Sequence, residues 1–247
     1  MNKILVGLLI SCCAQISWAQ TPSGSIKYQE TIYTKPDLKQ AEEQGWAEWA
    51  SMVPDSVNFY KVLKFSEQAS SYHTLALEGE PEEGNMVKMM MRRYANPNNM
   101  TYRNVTENKF VEQKDFMGKT FLIKGQPEEL TWKMTGEMKE IVGYPCIKAT
   151  YEDTTGIIEA WFTPQLPVSI GPENYGQLPG MILEMYIKKD KKRLLAIEIE
   201  TTEINADEFI EPSKGKEVTR EEFHQIMRDK FKEMRQNGGG FGMGRRH

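Results

Sequence analysis

The sequence predicts a mainly β protein: a strongly curved antiparallel meander, an open or half barrel, with one covering helix near the N-terminus and an amphipathic helix at the C-terminus. Three observations carry this. Apolar and polar residues alternate with period 2 in short segments that recur about every ten residues. The connections are short and rich in turn formers, such as Asn96-Pro97-Asn98-Asn99 and Phe116-Met117-Gly118-Lys119. Only two stretches carry a helical period.

The chain opens with Met1-Asn2-Lys3, an apolar run Ile4–Ile10 and the small-x-small triplet Ser17-Trp18-Ala19 before Gln20. Residues 1–19 therefore read as a secretory leader. The alternative is a lipoprotein leader acylated at Cys12, for which Leu9-Ile10-Ser11-Cys12 is a loose fit. The apolar run is shorter than the roughly 20 residues that span a bilayer, so no transmembrane segment is expected. Loss of residues 1–19 removes Lys3, Cys12 and Cys13. The formal charge of −4 becomes one unit more negative and Cys146 is left as the only thiol. No internal disulfide can then form, and the small, mixed charge excess points away from nucleic acid.

The predicted strands are Ile26–Tyr33, Val57–Phe65, Tyr72–Leu77, Met86–Tyr94, Thr101–Thr106, Phe110–Phe116, Thr120–Lys124, Leu130–Met134, Met138–Val142, Ile147–Tyr151, Ile157–Thr163, Met181–Lys188 and Leu194–Ile204. A sheet this wide cannot stay flat against its own twist, so it must curl or split. The first helix is expected over Pro36–Met52, with Pro36 in its first turn and Pro54 as its stop. The β-rich domain thus spans 20–204, and the polar stretch 205–217 reads as a linker. A helix over 218–236 starts at a capping box, Thr219-x-x-Glu222, with Val218 and Phe223 placed as a hydrophobic staple. Its apolar stripe runs through Phe223, Ile226, Met227, Phe231 and Met234, and the Gly/Arg tail 237–247 is expected to be flexible.

With 39% hydrophobic and 27% charged residues the chain is able to bury a core, yet no motif names a reaction. Gly-x-Ser-x-Gly, His-Glu-x-x-His and Cys-x-x-Cys are absent from the sequence. Gly118-Lys119-Thr120 ends like a phosphate loop but sits in a β-turn context. No cofactor and no metal is called for. Met86, Met89, Met90 and Met91, with His224-x-x-Met227, offer soft ligands for Cu(I). Alternation along a strand splits the methionines between two faces, and core filling is the stronger reading. Cys146 alternates within Cys146–Tyr151 as a buried thiol would.

The most unusual segment runs from Trp161 to Glu184 and contains four prolines. A loop this long inside a compact domain closes an opening or makes a binding surface. Phe162, Tyr175, Leu178, Pro179 and Gly180 are the ligand- or partner-loop candidates. Leu178-Pro179-Gly180-Met181 reads as a type II turn, with Gly180 supplying positive φ.

This segment resembles the GLPGLI family of exported bacterial proteins. The signature reads here Gln177-Leu178-Pro179-Gly180-Met181-Ile182, supported by Gly143-Tyr144-Pro145-Cys146, Ala160-Trp161-Phe162-Thr163-Pro164 and Ile170-Gly171-Pro172. Gln177 stands in place of glycine, which suggests that positive φ is not required there. The resemblance implies a β-rich envelope domain of uncharacterised function with no catalytic residues to carry over. The expected function is a non-enzymatic binding protein for an apolar or amphiphilic ligand or an envelope partner, in the periplasm or at the outer membrane. The alternatives are docking through the C-terminal helix and Met/His-based copper binding.

Overall fold

A computed structural model describes residues 22–75, 96–153, 156–209 and 211–236. The leader, the methionine run Met86–Met91 and the Gly/Arg tail lie outside the described residues.

Among the described residues twelve strands form one open sheet: β1 Gly24–Tyr33, β2 Ser56–Phe65, β3 Ala69–Thr74, β4 Met100–Asn104, β5 Lys109–Phe116, β6 Lys119–Gly125, β7 Lys133–Ile141, β8 Tyr144–Asp153, β9 Gly156–Thr163, β10 Met181–Ile187, β11 Lys192–Thr201 and β12 Lys216–Val218. Their order is β12-β6-β5-β4-β3-β2-β1-β11-β10-β9-β8-β7, and the edges β12 and β7 do not meet, so no barrel closes. Two antiparallel meanders, β1–β6 and β7–β11, are joined where β1 lies beside β11, with Ile26 opposite both Leu63 and Ile199. That junction brings residues some 170 positions apart into register, which local alternation cannot encode.

Several elements differ from the sequence expectation. The two short strands expected between Leu130 and Val142 are one strand, β7, with its register shift between Met134 and Met138. Gly136 at φ +79 lies within that bulge. The segment read as a linker carries a single 3-10 turn, Ala206–Glu208, and β12, which adds to β6 in parallel with Val218 opposite Ile123. The first helix is broken in two. In α1, Leu38–Glu43, the Asp37 carboxylate caps the amides of Lys39 and Gln40 at 2.9 and 3.3 Å. Gly45 at φ +76 then separates it from α2, Ala47–Met52. The helix α3, Arg220–Gln236, begins as the sequence specifies: Glu222 N donates to Thr219 Oγ1 at 3.2 Å while Thr219 N donates to Glu222 Oε2 at 2.8 Å.

Cross-strand partners point to the same side of a sheet, so Ile26, Leu63, Tyr72, Thr101, Glu112 and Ile123 share one face. The core lies on it in two parts. One is built on Ile26, Tyr28, Leu63, Phe162, Ile182 and Leu194 and is sealed by Leu166, Val168, Ile170 and Leu178 of the proline loop. The other joins Phe110, Phe121 and Ile123 to Val218 and Phe223, whose ring stands edge-on to Phe121 at 5.3 Å. The apolar stripe of α3 packs on its own sheet through Phe223, Ile226 and Met227, while Phe231 stays partly exposed.

Candidate functional site

The proline loop folds over the packed face and is pinned by its own backbone: Met181 N donates to Leu166 O at 2.9 Å and Ile182 N to Ile170 O at 3.0 Å. Leu178 is 1% exposed and Phe162 2%, both inside the core, while Pro179 is exposed and Gly180 buried. The Gly180 amide donates to Leu178 O at 2.7 Å, so the chain tightens around Pro179 in a three-residue turn instead of the expected type II turn. A Cβ on Gly180 would lie 2.1 Å from Thr163 O, so glycine is required there by close approach as well as by φ +148. Gln177 does adopt positive φ, +66, contrary to the expectation drawn from its replacing glycine. Its side-chain amide holds the strained position by donating to Glu128 O at 2.7 Å and accepting from Leu130 N at 2.8 Å.

Of the five loop candidates, Tyr175 lines a cleft of about 430 Å³ between the loop, β5, the β10–β11 turn and the first turn of α3. Charged and polar groups converge there from distant parts of the chain. Glu112 on β5 is 5% exposed, and its two carboxylate oxygens meet Lys114 Nζ at 2.7 Å and Arg220 Nη2 at 3.3 Å. The Arg220 guanidinium also lies over the Phe110 ring at 4.7 Å. Glu173, held at φ +57, accepts from Lys192 Nζ at 2.5 Å. The ammonium groups of Lys192 and Lys61 hold its carboxyl well below the ordinary range against the opposing effect of burial. Burial pushes the Tyr175 phenol up, with Glu173 adding to the effect. Burial, with Arg220 and Lys114 nearby, lowers the His224 imidazole, which is therefore neutral at pH 7.

Asn174 also lines the cleft. The Oδ1 of Asn174 is buried without a hydrogen-bond donor, a condition that costs about 1–3 kcal/mol unless something supplies an N–H or O–H. The arrangement offers fixed carboxylates, an amide, a neutral imidazole and the phenols of Tyr151 and Tyr175, a set suited to a ligand carrying hydroxyl and amide groups. Among the described residues no three His, Cys, Asp or Glu side chains are grouped to hold a metal ion. His224 faces the cleft while Met227 packs in the core, so this pair does not form a shared ligand site.

Sequence reasoning missed Glu112, Lys114, Asn174 and Arg220. A signal for the first two exists: Phe110, Glu112 and Lys114 share strand parity, so a carboxylate and an ammonium stand on the apolar face of β5.

Residues 85–221, more than half of the chain, match the family described as N-glycanase peptide, N-terminal domain, and the chain belongs to that family. Solved structures of PNGF-II share the fold. The C2 crystal form superposes with a TM-score of 0.53 at 14% identity over 83% of this chain, and the P21 form with 0.52 at 16% over 80%. In both cases the match covers 32% of the neighbour, so this chain spans about a third of its length. No curated protein sequence matches the chain.

These findings correct three expectations. The family is the N-glycanase one, and nothing supports the GLPGLI resemblance. The residues that carried the resemblance have structural duties: Leu178 plugs the core and Gly180 allows the loop to touch Thr163. An N-glycanase family also overturns the reading of a non-enzymatic binder of an apolar ligand, with copper binding or helix docking as alternatives. The physical reason is that the apolar interior is filled by the chain's own Leu166, Val168, Ile170 and Leu178. Family membership agrees with export, and the chain is an exported protein. Among the described residues no helix is long and apolar enough to cross a membrane.

Proposed function

We propose that this chain acts in N-glycan processing, with the cleft beside Tyr175 engaging the sugar of a glycosylated substrate. The observation that carries the reading is the set of polar groups held ready in the cleft: Glu112 fixed between Lys114 and Arg220, Glu173 fixed by Lys192, and Asn174 Oδ1 without a donor. Sugar hydroxyls and N-acetyl amides supply both donors and acceptors, and side chains already fixed by ion pairs lose little entropy when they bind them. The ionised state of Glu173 at neutral pH makes it a hydrogen-bond acceptor there and rules it out as a general acid. Family membership supports the glycan as the substrate class, and the neighbours' greater length leaves the full reaction to be assigned by experiment.

The test is binding of the full chain to a peptide bearing an N-linked high-mannose glycan, measured by calorimetry against the same peptide without the sugar. The glycosylated form binds preferentially, and Asn174→Ala weakens it. Equal affinity for the two peptides refutes the reading. We also place the chain in the cell envelope, in the periplasm or against the outer membrane, with residues 1–19 removed on export. Fractionation and N-terminal sequencing test this, and a mature chain retaining Lys3 counts against it.

A further inference from the structure

A second and larger recess lies away from the cleft and shares no lining residue with it. The start of β1, the β2–β3 turn, the end of β4 and the end of β11 leave a groove of about 1130 Å³ at one end of the sheet. A neighbouring groove of about 480 Å³ continues from it, and Tyr102, Asn104 and Glu107 line both. At that volume the larger part has room for several linked units where a small-molecule site of roughly 300–1,000 Å³ holds one.

The chemistry of the walls narrows the class. The larger groove has no Lys, Arg or His among its lining residues, so phosphate, sulfate or carboxylate groups would find no counter-charge. Gln68, Asn104, Thr201 and Thr202 supply neutral amide and hydroxyl groups, and Glu67 and Glu203 stand exposed as carboxylates able to accept from paired hydroxyls. Tyr102, half-buried at the junction of the two recesses, supplies an aromatic surface with a polar tip. A cationic peptide fits less well: the exposed carboxylates are screened by salt, and Glu107, which lines both recesses, is already paired with Lys109 at 2.9 Å.

We infer that this continuous groove is a binding site for an uncharged oligosaccharide, with Tyr102 as its stacking platform. The inference extends the N-glycan reading to a second contact region, drawing on it only for the choice of mannose as the probe. Where the cleft grips one part of a glycan, the groove holds a neutral arm of a glycan or a second sugar chain on the same substrate.

The test is titration of the full chain with linear mannopentaose, followed by calorimetry and by amide chemical shifts. Saturable binding is expected, with shifts at Gln68, Tyr102 and Thr202. Tyr102→Ala should weaken it at least tenfold, and Gln68→Ala, on an exposed turn that tolerates truncation, should weaken it measurably with an unchanged melting temperature. Asn174→Ala, in the cleft, should leave it unchanged. No saturable binding overturns the inference, as does binding of hexalysine in preference to mannopentaose, or affinity insensitive to both groove variants. Loss of mannopentaose binding in Asn174→Ala alone would support the cleft and sink the groove. Groove binding with no glycopeptide preference in the cleft assay would do the reverse.

Discussion

Replacing Gly180 by alanine adds one methyl group at the place where the proline loop touches the strand it seals. The new Cβ would stand 2.1 Å from Thr163 O and 2.7 Å from Thr163 C, both backbone atoms of a residue that is fully buried. Neither can move alone, because Thr163 lies opposite Met181 in the β9–β10 ladder and Met181 is also tied to Leu166. Two costs add: about 1–3 kcal/mol for a non-glycine residue in a sparsely populated φ region and about 1–3 kcal/mol for forcing an extra group into a packed site. A loss near 4 kcal/mol corresponds to a fall in melting temperature of roughly 8–16 °C for a chain of this size. Gly136 is the control: it also has positive φ, +79, but a Cβ there meets nothing within 4 Å. Gly136→Ala should therefore lose only about 1–2 kcal/mol from the left-handed backbone, or about 2–8 °C. Differential scanning calorimetry of the two variants decides the matter. Equal melting temperatures would refute the argument that the loop is held by close approach to Thr163.

Other consequences can be checked on the same material. Lys192→Met leaves the Glu173 carboxylate without its partner; because Glu173 keeps 30% of its side chain exposed, the loss at pH 7 is discounted to about 1–3 kcal/mol. The Glu173 pKa is depressed in the folded state, so the pair's contribution is full above the ordinary glutamate value near 4.5 and fades as the pH falls below it. Urea midpoints of wild type and variant should converge on acidification, and a constant gap from pH 7 to pH 3 would count against this. Thr219→Ala removes the cap on α3 and should cost about 1 kcal/mol in urea unfolding; no change would mean that the capping geometry is dispensable. Cys146 is fully buried, with its thiol pushed up to about 11. It should resist a thiol reagent in the folded protein and react stoichiometrically once urea unfolds it; rapid labelling at pH 7 of native protein would contradict the burial.

The residues between Ile26 and Thr201 illustrate how far a sequence of this kind can be read. Alternation locates β1, β2, β5, β6, β9 and β10 within a residue or two, because a strand with one buried face must place apolar side chains at every second position. Turn chemistry is equally local: Met117-Gly118, with φ of +49 and +74, closes the β5–β6 hairpin at the expected place. The capping box of α3 needs only four consecutive residues to be legible. Breaks in local pattern carried a weaker signal. Glu30 between Tyr28 and Ile32, and Glu112 after Phe110, put charge on a buried face, and each has an ion-pair partner there, Lys61 at 2.6 Å and Lys114 at 2.7 Å.

The sequence by itself determined an exported, strand-rich chain with a capped C-terminal helix, since each of these depends on spacings of a few residues. Only the tertiary structure decided that β1 joins the two meanders, that the proline loop fills the interior with Leu166 and Leu178, and that Glu112 meets Arg220 from 108 positions away. Pairings at such separations are set by which buried surfaces fit and which charges find partners when the whole sheet assembles. The two grooves and the cleft are made by that assembly.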